Sequence, residues 1–212
     1  MDNILYPRVY LLFRPALHSS LLRSPCSLIM FALRRVFTLA LVSVACASQL
    51  NVRQTTNTNA AINAAVDTLD ETLHKVGPTI LTLMANQTAS DTTIGQQMTA
   101  LETAFNKTTA TLAGIAVSAG STTVAPTNDD ISITYSDVMA LTATSLSGII
   151  AQGKVPGFPA MVTTLDPIMA KTTLQLNITS PASLVLVHRM MLDASQFFVA
   201  EKFTQTLTAL GF

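Results

Sequence analysis

The sequence is poor in the residues that mark disulfide scaffolds, membrane spans and nucleic-acid-binding surfaces. It has no tryptophan and only two cysteines, and charged residues make up 11% of its 212 positions. Two cysteines do not build a framework of several disulfides, so core packing has to hold the chain together. A long apolar run is also missing. The longest candidate, residues 36–47, has 12 residues, whereas a membrane-spanning helix needs about 20. We therefore predict no transmembrane segment.

Residues 30–47 have the pattern of a secretory signal peptide. A pair of arginines precedes the apolar run, and Ala45-Cys46-Ala47 fits an A-x-A cleavage site. We therefore predict a cut after this tripeptide and a secreted, extracellular or cell-wall protein. Residues 1–29 are predicted to be a non-native or cleaved extension, because a signal of ordinary size begins after them. A transit peptide for another organelle and a bacterial lipoprotein acylated at Cys46 are the alternatives.

The predicted mature chain, residues 48–212, is mildly acidic. It contains seven Lys and Arg against eleven Asp and Glu, a net charge of about −4. Without a basic patch we predict no nucleic-acid partner. Both cysteines, Cys26 and Cys46, precede the predicted cut, so this chain has no thiol. Three Asn-x-Thr sequons fit a eukaryotic secretory route and are the predicted glycosylation sites: Asn86, Asn106 and Asn177.

The apolar residues fall at helical spacing, which predicts an all-α fold, an antiparallel bundle of about five helices. Residues 48–59 are predicted to be a flexible lead-in and residues 60–212 the helical domain. In the first helix Gly77-Pro78 is predicted to break or kink the chain. The second helix is predicted to begin at Asp91 as its N-cap.

The later helices have clear start and stop signals. The third follows Asn128-Asp129-Asp130, whose acids are interpreted as helix caps rather than catalysts. The stretch GKVPGFP ends it, and Pro167 is predicted to kink or divide the fourth helix. A last helix is predicted to begin at Ser180-Pro181 and to run some 30 residues, roughly 45 Å.

Motifs for catalysis are missing from the sequence. It has no G-x-S-x-G elbow, H-E-x-x-H motif, dinucleotide-binding loop or P-loop. Asp70 and His74 share a helix face, which we interpret as a solvated pair rather than a metal site. His188, the other histidine of the predicted mature chain, is interpreted as a surface or half-buried residue. We predict that the protein is not an enzyme and needs no metal or cofactor.

Methionine is the most distinctive apolar residue of the predicted mature chain. Four of its seven methionines lie in the last two predicted helices. Methionine is flexible and polarizable and suits surfaces that fit varied apolar partners, although filling the core is the plainer explanation. The adjacent Phe197 and Phe198 cannot both face the same side of a helix. The candidate residues for binding a lipid or an apolar surface are Met161, Leu165, Met169, Met191 and Phe198.

A cysteine-free, Ala/Thr-rich chain with helices in this order, and with GFPAMVTTLDPIMAKTTLQLN before a long terminal helix, resembles one known family. It is the fungal hydrophobic surface-binding protein A family, also described as cell-wall galactomannoproteins. The resemblance covers roughly Ala60 to Phe212 and rests on layout and apolar spacing rather than on an invariant motif. It implies a secreted helical protein that adsorbs to hydrophobic surfaces, with some relatives binding fatty acids or other lipids between helices. It supplies no catalytic residue.

Two other functions fit the same composition. A structural cell-wall mannoprotein would use mainly the sequons and threonines. A secreted helical enzyme inhibitor would have a secreted hydrolase as its partner, but the plant invertase and pectin methylesterase inhibitors of this kind rely on disulfides. Within the preferred function, the bundle either opens at an apolar interface or stays closed around a lipid. Both mechanisms use the same apolar stripes, so the sequence does not separate them.

Overall fold

Helices form the whole framework of the part of the chain that the structure describes. The structure is a computed structural model that describes residues 56–212, within the compact unit Gln54–Phe212. The predicted extension, the signal peptide and residues 48–55 of the predicted lead-in lie outside the described residues. Residues 56–212 contain no strand, so the all-α prediction is confirmed. Seven helices and the single-turn α4 take the place of about five: α1 (Asn59–Ala85), α2 (Asp91–Ala113), α3 (Asn128–Leu146), α4 (Ile149–Gln152), α5 (Phe158–Thr179), α6 (Ser183–Met190), α7 (Ser195–Ala200) and α8 (Thr204–Leu210).

Helix α1 continues through Gly77 and Pro78, so the chain is not broken there. Pro78 is exposed to solvent. Gly77 is buried, and a Cβ atom there would lie 3.2 Å from the side chain of Leu141. The missing side chain thus lets α3 approach α1 closely. The Gly-Pro pair is a packing feature of a continuous helix rather than a helix end.

The start of α1 is anchored by Asn59, whose side chain is fully buried. Its Nδ2 donates to the carbonyl oxygen of Pro126 and to Oδ1 of Asn128, both at 2.9 Å. Its own Oδ1 accepts a hydrogen bond from Ser118 Oγ at 2.6 Å. The last residue of the predicted lead-in is therefore the first residue of the helix, and it fixes the loop between α2 and α3.

The N-cap of helix α2 lies one residue before the predicted one, so the helix itself begins at Asp91. Ser90 is the N-cap: its Oγ accepts a hydrogen bond from the Thr93 amide at 3.2 Å, and Thr93 Oγ1 accepts one from the Ser90 amide at 3.0 Å. Asp91, the predicted cap, instead accepts a hydrogen bond from the amide of Gly157 at 2.8 Å. This carboxylate ties the start of α2 to the loop that precedes α5.

Helix α3 begins at Asn128, so the two acids that were predicted to precede it lie in its first turn. Thr127 is the N-cap, and the carboxylate of Asp130 accepts a hydrogen bond from the Thr127 amide at 2.8 Å. That bond lowers the pKa of Asp130. The interpretation of this acid as a helix cap is confirmed.

The last third of the chain differs most from the predictions. Helix α5 passes through Pro167 without dividing. The predicted single terminal helix is wrong, because α6, α7 and α8 replace it, and Ser180 is the C-cap of α5 rather than the start of a helix. The backbone of Lys202 is left-handed, with φ 66°, which stops the helical path between α7 and α8.

The helices pack as a closed ring around one core. Helix α1 contacts α2 and α3, α2 contacts α5, α5 contacts α8, and α3 contacts α6. Burying a large apolar side chain contributes about 1.5–3 kcal/mol, so packing supplies the stability of a fold without disulfides. The largest fully buried side chains include five aromatic rings: Phe105, Tyr135, Phe158, Phe198 and Phe203.

Candidate apolar binding surface

Four of the five predicted binding residues lie in the core. Leu165, Met169, Met191 and Phe198 are each 0% exposed, and Met161 is half-buried and packs against the same core. All five therefore belong to one apolar core, to which Met161 contributes beside the groove between α2 and α5. In the closed bundle a lipid or a surface does not reach the four buried side chains.

Exposed apolar side chains are instead concentrated near the C-terminus. Of the eleven exposed large apolar side chains in residues 56–212, seven lie in residues 174–212. Only four residues of this stretch are charged, and one of them, Glu201, is 2% exposed. The stretch therefore shows more large apolar side chains than charges to solvent. The seven are Leu174, Ile178, Val185, Met190, Leu192, Val199 and Phe212.

Three of these side chains form what we call the apolar row: Val185, Leu192 and Val199, exposed by 61%, 59% and 63%. The backbone between them keeps a nearly helical path through the turn after α6. The amide of Met191 donates to the carbonyl of Val187 at 3.0 Å, and the Ser195 amide donates to Met191 at 2.8 Å. Seven residues are just under two helical turns, so the row projects from one side of this segment.

Helix α5 adds a second exposed apolar pair. Leu174 and Ile178 lie one turn apart and are 52% and 59% exposed. Earlier in α5, the hydroxyls of Thr163 and Thr164 donate to carbonyls four residues before them at 2.9 and 3.3 Å. Such bonds satisfy the hydroxyl donors within the helix. These two exposed threonines thus leave no hydroxyl donor unpaired.

Two grooves between helices have mixed linings. The groove between α2 and α5, about 480 Å³, is shallow and is lined by Met161 together with the acids Asp91 and Glu102. Two carboxylates there disfavour the head group of a fatty acid. The groove between α1 and α2, about 240 Å³, is lined mainly by alanines and threonines, with Lys107 among them. Neither groove has the apolar lining typical of a lipid pocket.

A third cleft, of about 250 Å³, contains two buried carboxylates, Asp166 and Glu201. They are 4% and 2% exposed. Burial raises the pKa of Glu201, while hydrogen bonds from three backbone amides of the Gly148–Ile150 turn oppose that rise. Nothing in the sequence indicated that these two acids line one cleft, since 35 residues separate them.

The most polar cluster lies between α1 and α3. Nδ1 of His74 is 3.2 Å from the carboxylate of Asp70, and Nε2 is 3.8 Å from that of Asp137. The predicted Asp70–His74 pair is confirmed, and Asp137 was missed because it comes from another helix. The ligand atoms of the three residues lie within 4.8 Å of one another, so these are the residues that could hold a metal ion. His74 and Asp137 are 55% and 60% exposed, which fits a solvated ion-pair cluster.

The pKa directions within this cluster have different causes. The pKa of His74 is raised, first by its hydrogen bond to the Asp70 carbonyl and then by the Asp70 charge. The pKa of Asp70 is also raised, because burial outweighs the attraction of the imidazolium. His74 is exposed, so burial opposes the rise of its pKa only weakly. Both pKa values are therefore raised, although the attraction between the two groups alone would raise that of His74 and lower that of Asp70.

The other histidine has structural partners. His188 is half-buried, as predicted. Its Nδ1 is hydrogen-bonded to the carbonyl of Leu210 at 3.0 Å, and its ring stacks on Phe212 at 4.4 Å between centroids. The ring joins α6 to the end of α8.

All three sequon asparagines are exposed. Asn86 is the C-cap residue of α1, Asn106 lies on α2 and Asn177 on α5. A glycan at any of them would extend into solvent without displacing core residues. Occupancy of the sites stays a prediction.

No protein-family model matches the chain, and no curated protein matches it. Over residues 56–212, no helix combines the length and the hydropathy needed to cross a bilayer. The fold and its exposed side chains therefore carry the functional proposal.

Proposed function

We propose that this chain is a secreted, non-enzymatic protein that binds apolar surfaces or lipids through the apolar faces of its helical bundle. The observation that carries the proposal is the set of seven exposed large apolar side chains in residues 174–212. Exposed apolar groups scattered singly are normal, but their concentration in one stretch is typical of an interaction site. The resemblance to the hydrophobic surface-binding family supports the same function.

The shape of the bundle favours a surface over an enclosed ligand. The apolar row and the α5 pair point outward, whereas the groove at Met161 is lined by acids. An extended apolar surface can contact several exposed side chains at once without entering the core. We therefore place the binding surface on α5–α7 and regard a lipid layer or an apolar solid as its partner.

The test is a triple variant of the apolar row, Val185→Ser, Leu192→Ser and Val199→Ser. Each replacement removes about 1 kcal/mol of apolar burial at the surface, so adsorption should weaken about 100-fold. Adsorption to polystyrene and to neutral phospholipid vesicles measures the effect, with circular dichroism checking that the helices persist.

A matched control uses three exposed apolar residues outside residues 174–212. Leu81, Val124 and Ile133 are 44%, 61% and 50% exposed, and their triple serine variant should adsorb like the wild type. Equal losses in both variants would mean that general surface hydrophobicity, not the apolar row, drives adsorption. A folded wild-type protein that adsorbs to neither material would refute the proposed function.

A structural cell-wall mannoprotein is the second candidate. It is favoured by one observation, the exposure of all three sequon asparagines. In that case the secreted protein would carry glycans at Asn86, Asn106 and Asn177, and it would not adsorb after their enzymatic removal. Intact-mass measurement before and after deglycosylation, followed by the adsorption assay, separates the two functions.

A further inference from the structure

Two buried carboxylates hold the terminal helices against the rest of the bundle. We call residues 183–212, which contain α6, α7 and α8, the C-terminal segment, and its contacts with α3, α4 and α5 the seam. Glu201 belongs to this segment and Asp166 belongs to α5, and both line the same cleft at the seam. Each carboxylate binds backbone amides on the other side.

Glu201 closes the seam at α4. Its Oε1 accepts a hydrogen bond from the amide of Gly148 at 2.7 Å, and its Oε2 accepts one from Ile150 at 3.4 Å. Gly148 adopts a left-handed φ of 82° as N-cap of α4 and has no side chain to satisfy these amides. The free amides at the start of α4 are thus capped by a residue more than 50 positions later.

Asp166 closes the seam at α8. Its Oδ2 accepts a hydrogen bond from the Gln205 amide at 2.9 Å, and its Oδ1 accepts one from Thr206 at 2.7 Å. Phe203, the N-cap residue of α8, provides no side-chain cap. The first turn of α8 therefore depends on a carboxylate from α5.

Most of the remaining seam contacts are apolar, although Ser132 Oγ on α3 also donates to the carbonyl of Ser183 at 2.9 Å. Met191, Phe198 and Phe203 of the C-terminal segment are 0% exposed, and the two phenylalanine rings are 5.3 Å apart. Separating the segment would expose these side chains and return both carboxylates to water. Against an apolar surface the exposed side chains would be buried again, while the carboxylates would gain hydration.

We propose that the C-terminal segment lifts off α3–α5 as a unit at an apolar surface, and that Asp166 and Glu201 are the two latches that close its seam. This inference rests on the proposed surface-binding function and adds its mechanism. It also gives a role to the buried Met191 and Phe198, which contact the surface only after opening.

The stability of the closed seam should depend on pH through Glu201. Because burial raises the pKa of Glu201, the closed seam favours its protonated form. That contribution to stability is fully present below the ordinary pKa of 4.5 and is lost as the pH rises through the raised value. Opening should therefore become easier from acidic to neutral pH.

The charged groups around Glu201 are few. Asp166 and Lys202 line the same cleft, and neither α4 nor α8 carries a charged residue. The other charge on α5 is Lys171, and the only charged residues of α3 are the acids 129, 130 and 137. Burial is the cause of the raised pKa of Glu201; the backbone amides lower it, and no neighbouring charge contributes.

The decisive test is a covalent cross-link between the two sides of the seam, which gives a protein that we call pinned. Thr163 on α5 and Gln205 on α8 are exposed and line the cleft at the seam. We would make Thr163→Cys and Gln205→Cys in the full chain, with Cys26 and Cys46 changed to serine, and join the new thiols with a short bifunctional reagent. The pinned protein should adsorb to polystyrene at least about tenfold more weakly than the same variant before cross-linking, because its open state is lost.

The matched control is a cross-link that spans no seam. Gln196 and Ala200 are exposed and lie one turn apart on α7, so cross-linking Gln196→Cys to Ala200→Cys leaves the segment free to lift. This protein should adsorb like the wild type. If the pinned seam adsorbs as well as the control, the lifting mechanism is overturned while surface binding stands. If the wild type does not adsorb, both proposals fail.

A second measurement tests the latch itself. Glu201→Gln should remove most of the rise in wild-type adsorption between acidic and neutral pH. Asp193→Asn, which removes an exposed carboxylate from the same segment, should keep that rise. An unchanged pH profile in folded Glu201→Gln would overturn the role of Glu201, and the cross-link result decides the matter if this variant does not fold.

Discussion

The polar cluster on α1 and α3 and the apolar row on α6–α7 show how differently two surfaces of one small bundle can meet water. His74 lies between two carboxylates on a solvated face, whereas the apolar row exposes about 60% of each of its three side chains. Helices of similar composition thus carry one surface suited to water and one suited to an apolar phase. A protein with both surfaces would adsorb in a preferred orientation.

The carboxylates of the polar cluster and those of the seam also differ in how deeply they are buried. Asp70 and Asp137 interact at the surface, where solvent weakens their attraction to His74. Asp166 and Glu201 are buried and bind backbone amides across the seam. Substitutions at the seam should therefore change the free energy of unfolding strongly, and substitutions at the polar cluster should change it weakly. The predictions below test that order.

The largest expected effect is at Phe198, which is 0% exposed. Phe198→Ala leaves a cavity beside Phe203 and should lower the free energy of unfolding by about 3–5 kcal/mol. The neighbouring Val199 is 63% exposed, so Val199→Ala should change it by less than about 0.5 kcal/mol. Urea denaturation followed by circular dichroism measures both. Similar losses of unfolding free energy in the two variants would contradict the contrast between a buried Phe198 and an exposed Val199.

The next effect is at Asn59, where α1 begins. Asn59→Ala removes three hydrogen bonds and leaves buried partners unpaired, which should cost about 2–3 kcal/mol. Asn63→Ala is the control, since the one hydrogen bond of its side chain goes to the exposed Asp67. The same denaturation experiment applies, and a loss at Asn59 no larger than at Asn63 would contradict the anchoring of α1.

A smaller effect is expected at Tyr135, which is fully buried. Its hydroxyl is 2.7 Å from Thr173 Oγ1 and links α3 to α5. Tyr135→Phe should cost about 1 kcal/mol, because the Thr173 hydroxyl keeps its bond to the Met169 carbonyl at 3.0 Å. Thr134→Val, which removes only an exposed hydroxyl bonded within α3, is the control. A stabilised Tyr135→Phe would contradict the favourable contribution of this bond.

The sequence predicted the helices well where local signals decide them. The apolar stripes of α1 and α2 are long and regular, so period alone located both helices. The division of the last segment into three helices was not predicted, because tertiary contacts determine it: Glu201 is held by α4, and α8 is capped by Asp166. No local pattern at these positions records a bond to a residue 40 or more positions away.

The candidate site was predicted less well for a related reason. Helical period places Met169 on the apolar face of one predicted helix and Met191 and Phe198 on that of the next, but it does not show whether another helix covers these faces. The apolar row was missed because Val185, Leu192 and Val199 lie off the main stripe. Their spacing of seven residues was visible in the sequence, and it would have indicated a second apolar side of the last segment.

The smallest expected effect is at the polar cluster, where Asp137→Asn should move the pKa of His74 down toward its ordinary value of 6.5. Because the folded pKa of His74 is raised, its contribution to stability is present below the ordinary value and is lost as the pH rises through the folded value. The change in unfolding free energy should stay under about 0.5 kcal/mol, because these groups are solvated. An NMR titration of the imidazole measures the pKa, with the exposed Asp129→Asn as the control. An effect on stability as large as that of Phe198→Ala would contradict the contrast between the two surfaces, since it would make the exposed charges as important to the fold as the buried seam.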